Sequence, residues 1–231
     1  MIPDGVEAVL FDAGGVLVEP EWSPVRHALG IELDPERCRY AHYRSVQELD
    51  RTGFVDWRVH DRVIAVEMGV PEHLVDRAVD VIEQIYVALP WRPIAGAAEG
   101  LRAVRDAGYR LAIVSNAHGR MAEYLEAHEI CSATGGPGVH VEIVVDSHLV
   151  GVEKPDPAIF GFALDALGLP PERCAYVGDT VHFDVGGARA AGLHPIHLDP
   201  YGLCDGGGDH PHVRAVADLV ARGSASGSAG R

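Results

Sequence analysis

The chain reads as an α/β protein in which a parallel β-sheet with crossover helices is interrupted by an inserted helical subdomain. Three observations predict this. Short apolar runs bounded by Gly, Asp or Ser alternate with longer segments of helical period. Nearly a hundred residues separate the first run from the second, far more than a crossover helix requires, and most of them have helical period. Each run ends beside a polar or charged residue, as strands do when their carboxyl ends form a ligand crevice.

In chain order, Val6 to Phe11 is the first predicted strand, and residues 18–91 form the insertion. Within the insertion, Val59 to Met68 and His73 to Val87 carry apolar residues at three- and four-residue steps, with Pro71 between them. Pro90 and Pro93 mark the return to the main domain, and Ala97 to Ala107, closed by Gly108, is the helix feeding the second strand. The remaining strands are Arg110 to Ser115, Val141 to Val145, Ala175 to Val177 and Pro195 to Leu198. Asp205 to His212 reads as loop and Val213 to Ala221 as a last short helix. The expected division is a core of residues 1–17 and 92–222, the insertion at 18–91, and a Gly/Ser/Ala tail at 223–231.

With 231 residues, 47% of them hydrophobic, the chain can bury a full core. Its formal charge of −15 disfavours nucleic acid and anionic lipid as partners. The N-terminus lacks the basic region of a signal peptide, and no apolar stretch approaches the roughly 20 residues of a membrane span. Cys38, Cys131, Cys174 and Cys204 lie far apart without CxxC spacing, so neither a disulfide framework nor a zinc site is expected, and a cytoplasmic location fits. Oligomeric state is left open.

The chemistry concentrates at four stations. Asp12 follows the first strand, Ser115 and Asn116 the second, Lys154 the third after a short loop, and Asp179 and Asp184 the fourth. Parallel strands would bring all four to one edge of the sheet. Crowded carboxylates repel unless a cation neutralises them, and an all-oxygen site suits magnesium. A carboxylate can also act as a covalent nucleophile while Ser, Lys and backbone N–H groups hold the transferring oxygens. Taken singly, each residue has an ordinary reading: Asp12 as a strand-end cap, Ser115 as a turn, Lys154 as surface charge, Asp184 as the N-cap of a helix through Gly186 to Ala190. Their joint order is what points to phosphoryl transfer.

These stations also resemble a known family. FDAGGVL at Phe11 to Leu17, VSN at Val114 to Asn116, KPDP at Lys154 to Pro157 and GDTVHFD at Gly178 to Asp184 look like the four ordered motifs of the haloacid dehalogenase (HAD) superfamily. The resemblance runs from about Val6 to Leu198 and implies a Rossmann-like core with a helical cap inserted after the first motif. Carried over by position, it makes Asp12 the attacking carboxylate. Asp12, Asp179, Asp184 and the backbone carbonyl of Gly14 become magnesium ligands, and Ser115, Asn116 and Lys154 bind a small phosphorylated substrate.

One position departs from the pattern. Phosphatases of the family carry a second Asp two residues after the nucleophile, where it protonates the leaving group; here that residue is Gly14. Such acid/base groups contribute about 10²–10⁴ in rate. Gly14 is compatible with a slow phosphatase, with hydrolysis of a non-phosphoester bond, or with a protein that binds phosphate and metal without turnover. Glu19, Glu21, His27 and His42 are candidate replacement acids, surface charge being the ordinary reading of each. A signalling receiver domain also orders Asp, Ser/Thr and Lys along a parallel sheet, but the insertion and the GDTVHFD motif argue against it.

The glycine pairs match neither a dinucleotide fingerprint nor a P-loop. His182, His194, His197, His210 and His212 match no standard metal spacing and read as scattered loop histidines. Trp57 and Trp91 read as packing or hinge anchors in the insertion.

Overall fold

The computed structural model describes residues 1–52, 56–85, 90–205 and 209–220. β1 (Ala8–Phe11) is buried at every position. Val9 and Phe11 face one side of the sheet and Ala8 and Leu10 the other, each within its own apolar cluster, so helices cover both faces. After Asp12 the backbone doubles back, with Leu17 and Val18 N–H donating to the Ala13 carbonyl at 2.8 and 3.0 Å. This turn leads into β2 (Val18–Pro20), which pairs antiparallel with β3 (Trp91–Pro93). The insertion therefore leaves and re-enters through a two-stranded neck. Between those strands lie α1 (Ser23–Leu29), α2 (Pro35–Thr52), α3 (Trp57–Glu67) and α4 (Val75–Ile85). They share a separate core that includes Val25, Cys38, Ala41, Ile64, Ala78 and Ile82.

The main domain continues with α5 (Ala97–Asp106), β4 (Arg110–Ser115), α6 (Met121–Ala127) and the short pair β5 (Cys131–Ser132) and β6 (Val139–His140). It goes on through β7 (Val144–Asp146), α7 (Ser147–Val150), α8 (Ala158–Leu167) and β8 (Cys174–Gly178). A π-helical turn at Val181–Gly186, α9 (Gly187–Ala190), β9 (His194–Leu198), β10 (His212–Val213) and a 3₁₀ turn at Val216–Leu219 complete it. The sheet has the order β10-β9-β8-β1-β4-β7 and its pairings are parallel. From β1 the chain builds outward through β4 and β7, then crosses back to β8 on the other side. The crevice created by that reversal opens at the carboxyl ends of β1 and β8, where Asp12 and Asp179 stand.

Four expected elements differ. The third strand is displaced to Val144–Asp146, because Val141 N–H donates instead to Ser132 O at 3.1 Å beside the β5–β6 pair. His73 lies in a 3₁₀ turn at Glu72–Leu74 ahead of α4, and Val87 falls outside the described residues. The last helix is replaced by β10, in which Val213 pairs with Leu198, and by the 3₁₀ turn; Asp218 Oδ2 accepts from Ala215 N–H at 2.9 Å and delays helical winding to Val216. Asp184 is not an N-cap: it lies inside the π-helical turn, whose N-cap is Thr180. Gly206 to Gly208, Ala221 and the tail at 223–231 fall outside the described residues. No helix of the described residues is long and apolar enough to cross a membrane.

Candidate active site

The parallel register delivers the expected cluster. Asp12, Asp179 and Asp184 are buried and can each turn a carboxylate oxygen to within 4.8 Å of the others. Lys154 reaches into them from the loop after α7, with its Nζ 2.9 Å from Asp12 Oδ2, 2.7 Å from Asp184 Oδ1 and 2.9 Å from the Tyr176 hydroxyl. Only 2% of Lys154 is exposed, and it is the single lysine of the chain, the other basic residues being arginines. A compact ammonium can meet three oxygens converging from different directions, which a planar guanidinium cannot.

Two glycines make this crowding possible. Gly15 has φ +69, and a Cβ there would overlap the Asp179 carboxylate; a Cβ on Gly178 would overlap the carboxyl group of Asp184. Gly14 differs: a Cβ there meets only Trp91 ring atoms, at 3.7 and 3.8 Å.

Electrostatics follow from burial. Removal from water pushes the Asp12 carboxyl up to about 7; Lys154 opposes the rise, and Asp184 and Asp179 reinforce it. Burial works against the charge of Asp184 too, but Lys154 and two hydrogen bonds from Thr180, from N–H at 2.9 Å and from Oγ1 at 2.7 Å, hold it below the usual carboxylate range. Burial likewise opposes the Lys154 charge, and Asp12 and Asp184 outweigh it, raising Lys154 above its ordinary value. Three carboxylates against one ammonium leave a negative, all-oxygen donor set, which fits a hard divalent cation.

Lys154→Met removes the ammonium paired with Asp12 and Asp184. We expect it to cost about 3–5 kcal/mol of stability in magnesium-free buffer, the usual penalty for breaking a buried ion pair. Urea unfolding with and without magnesium measures this, and a loss under about 1 kcal/mol would show that the carboxylates need no counter-charge.

Ser115 is buried at the end of β4 and lines the same cavity, of about 760 Å³, together with Asp12, Gly14, Asn116 and Lys154. That volume suits a small molecule. The Asn116 side chain grips the Lys154 backbone at both ends: Oδ1 accepts from Lys154 N–H at 2.8 Å and Nδ2 donates to Lys154 O at 3.0 Å. It thereby sets the position of the lysine. Asp146, the register partner of Ser115 on the neighbouring strand, accepts from Gly119 N–H at 2.9 Å, Met121 N–H at 3.2 Å and His148 N–H at 3.1 Å, tying the loops after β4 and β7 together.

Helix α2 closes over the crevice. Tyr43 donates to Gly15 O at 2.6 Å, His42 Nε2 lies 2.9 Å from Asp179 Oδ2, and Asp50 accepts from Val181 and His182 N–H at 2.8 and 2.7 Å. Among the four replacement acids considered, His42 alone lines the cavity. Its Nε2 is engaged with Asp179, which makes it an orienting partner for that carboxylate. Glu19 is held by Arg39 at 3.1 Å and Arg92 at 2.8 Å, Glu21 accepts from Ser23 N–H at 3.0 Å, and His27 is exposed on α1. Trp91 is anchored through both backbone groups by the Tyr124 hydroxyl, at 2.5 and 2.7 Å, and its ring lines the cavity beside Gly14. Trp57 also lines it, with 52% of its surface exposed.

Sequence reasoning missed Tyr176, Thr180, Asp146, Tyr43 and Asp50. Thr180 had a signal, since it sits between Asp179 and Asp184. Tyr176 reads as an ordinary core residue, and the others act through contacts that only the fold creates.

The sequence profile of haloacid dehalogenase-like hydrolases matches residues 6–192. The haloacid dehalogenase-like hydrolase domain-containing protein 3 of Bos taurus is 37% identical over 118 residues, covering 48% of this chain and 43% of its own. The phosphoserine phosphatase of Thermus thermophilus is 34% identical over 143 residues, covering 62% of this chain and 53% of its own. The match thus spans about half the length of these relatives. Among solved structures, the L-2-haloacid dehalogenase of Xanthobacter autotrophicus superposes with a TM-score of 0.52 at 22% identity, covering 93% of this chain and 96% of that one, a likeness of fold. With four motifs in register at one sheet edge and a profile match over most of its length, this chain belongs to the haloacid dehalogenase-like hydrolases.

Proposed function

We propose that the chain is a magnesium-dependent phosphatase acting on a small phosphorylated metabolite through an aspartyl-phosphate on Asp12, with residues 18–91 acting as the cap and a cytoplasmic setting. The observation that carries this reading is the convergence of Asp12, Asp179 and Asp184 on one point beside the single lysine. The phosphatase among its relatives supports it. Asp12 and Asp179, the Gly14 carbonyl and, behind them, Asp184 would hold the magnesium. When bound, the ion neutralises the carboxylates and draws charge from the phosphoryl oxygens.

Ala13 N–H at 2.7 Å and Lys154 Nζ at 2.9 Å fix the two oxygens of Asp12. An Asp12 oxygen attacks phosphorus, the bond to the ester oxygen breaks, and Ser115 Oγ, the Asn116 backbone N–H and Lys154 bind the phosphoryl oxygens. Water then attacks the same phosphorus, releasing phosphate and regenerating Asp12. The departing alkoxide must collect a proton, and Gly14 offers no side chain to give it. Aryl and acyl phosphates should therefore outrun sugar phosphates. A phosphate-release panel with and without magnesium tests the reading; no turnover anywhere in the panel would leave a protein that binds without catalysis.

Gly14 also favours a second reading, displacement of halide from a haloacid by Asp12, because a halide leaves without a proton. Magnesium-independent halide release would select it.

The raised Asp12 carboxyl sets a pH dependence. Proton and metal compete for the same oxygens, so magnesium affinity should be flat above about pH 7 and fall by about tenfold per unit below it. Since the folded-state value lies above the unfolded one, the contribution of Asp12 to metal-free stability is present at low pH and lost as pH rises through about 7. Calorimetric titration across this range checks the affinity, and pH-independent binding would contradict it.

A further inference from the structure

Three histidines expected to be scattered are gathered by the fold with a cysteine. His197 is the penultimate residue of β9, His212 begins β10 beside it in register, and Cys204 and His210 lie between the two strands in sequence. One donor atom from each of the four lies within 4.8 Å of the rest. His182 and His194 stand apart from this group.

The hydrogen bonds on the outer side of each ring decide which nitrogen faces inward. His197 Nε2 is 3.1 Å from Asp179 O, a carbonyl that can only accept, so Nε2 carries the proton and Nδ1 keeps its lone pair. His210 Nδ1 is 2.6 Å from Asp209 Oδ1, which leaves the lone pair on Nε2. Those two nitrogens face each other 3.3 Å apart, a contact that a cation between them or a proton on one ring must bridge. Cys204 Sγ is 3.7 Å from His210 Nε2. His212 turns Nδ1 toward Asp199 Oδ2 at 3.7 Å, and its Nε2 is buried without a hydrogen-bond partner among the described residues. Asp199 also accepts from Leu203 and Cys204 N–H at 2.9 and 3.0 Å, shaping the loop that presents the thiol.

A tetrahedral zinc ion holds nitrogens at about 2.0–2.1 Å and sulfur at about 2.3 Å, which places its ligands about 3.3–3.6 Å apart. The separations of 3.3 Å between His197 and His210 and 3.7 Å between Cys204 and His210 lie close to that scale, and the remaining pairs are within 4.8 Å. Carboxylates or carbonyls behind ligating imidazoles are the usual outer support of such sites. We propose that His197, Cys204, His210 and His212 form a second metal site, separate from the carboxylate cluster, for a zinc-class divalent transition ion. Three imidazoles and a thiolate select zinc over magnesium or calcium, and four protein ligands close the coordination, so the role is structural. The ion would pin residues 199–205 and 209–212 onto the sheet edge. Through the hydrogen bond of His197 to Asp179 O, it would brace the strand end that carries a residue of the candidate active site.

The test uses the untagged full chain, stripped by chelator, then given magnesium and titrated with cobalt(II). One equivalent should produce intense tetrahedral visible bands and a thiolate-to-cobalt charge-transfer band, both bleached by one equivalent of zinc. Cys204→Ser should lose the charge-transfer band, and His212→Ala should lose the tight stoichiometric binding. Asp12→Asn should change neither. If either ligand variant fails to fold by circular dichroism, Asp209→Asn, at an exposed position behind His210, should weaken cobalt binding by about 10–100-fold. A weak octahedral spectrum, a charge-transfer band that survives Cys204→Ser, or loss of the signal in Asp12→Asn would overturn the proposal.

Discussion

Asp12→Asn is expected to lower magnesium-dependent phosphate release by a factor on the order of 10⁴ or more, the scale on which loss of a nucleophile acts. The substitution keeps the shape of the side chain and an oxygen for the Ala13 N–H, while Lys154 retains Asp184 and Tyr176. Loss of rate should therefore come with an intact fold. Removing a carboxylate that burial already pushes up to about 7 also relieves repulsion among the three acids. The metal-free variant should thus be at least as stable as the parent at pH 8. Stopped assays with a sensitive phosphate probe and thermal unfolding check both parts. Residual activity within about tenfold of the parent would remove Asp12 from the chemistry.

The opposite change in rate is expected from Gly14→Asp. A proton donor at this position should raise turnover of sugar and other alkyl phosphates by about 10²–10⁴ while leaving aryl phosphates nearly unchanged, because only the poor leaving group needs the proton. The structure admits the side chain, since a Cβ at Gly14 meets Trp91 at ordinary contact distance. Gly15 offers a sharp control. There even Gly15→Ala drives a Cβ into the Asp179 carboxylate at a positive φ, and metal binding should fail. Comparing kcat on both substrate classes in the two variants is decisive: equal gains on aryl and alkyl phosphates would mean that Gly14→Asp acts by something other than proton donation.

The sheet was legible because its strands are buried on both faces and so appear as apolar runs. Its edges were harder. β10 is two residues long and exists only because β9 offers it a partner, so Val213 reads equally well as the start of a helix. Of the inserted helices, α3 and α4 were legible individually and α1 and α2 only as part of the region: α2 turns Ser45, Tyr43 and the Asp50 carboxylate toward other elements, which breaks the apolar stripe that period analysis needs.

The candidate site divides the same way. Ser115 ends a strand and Asp12, Lys154, Asp179 and Asp184 come after one, and a parallel sheet converts that order into proximity. His42 and Tyr43 reach the site from a different element, and no spacing rule connects them to it. The cluster of His197, Cys204, His210 and His212 was set aside for the same reason, since its ligands come from two adjacent strands and the loop between them and follow no standard spacing. Asn116 shows the limit of motif reading, which locates the residue at the cavity but not the grip of its side chain on the Lys154 backbone.

The central claim is that Asp12 takes the phosphoryl group. It is tested most directly by mixing the protein with an acyl phosphate and magnesium, quenching in acid, and mapping the peptides by mass spectrometry. The account predicts one phosphoryl group on the peptide containing Asp12, dependent on magnesium and missing in Asp12→Asn. Phosphate release with no label on that peptide, or a label that persists in Asp12→Asn, would contradict it.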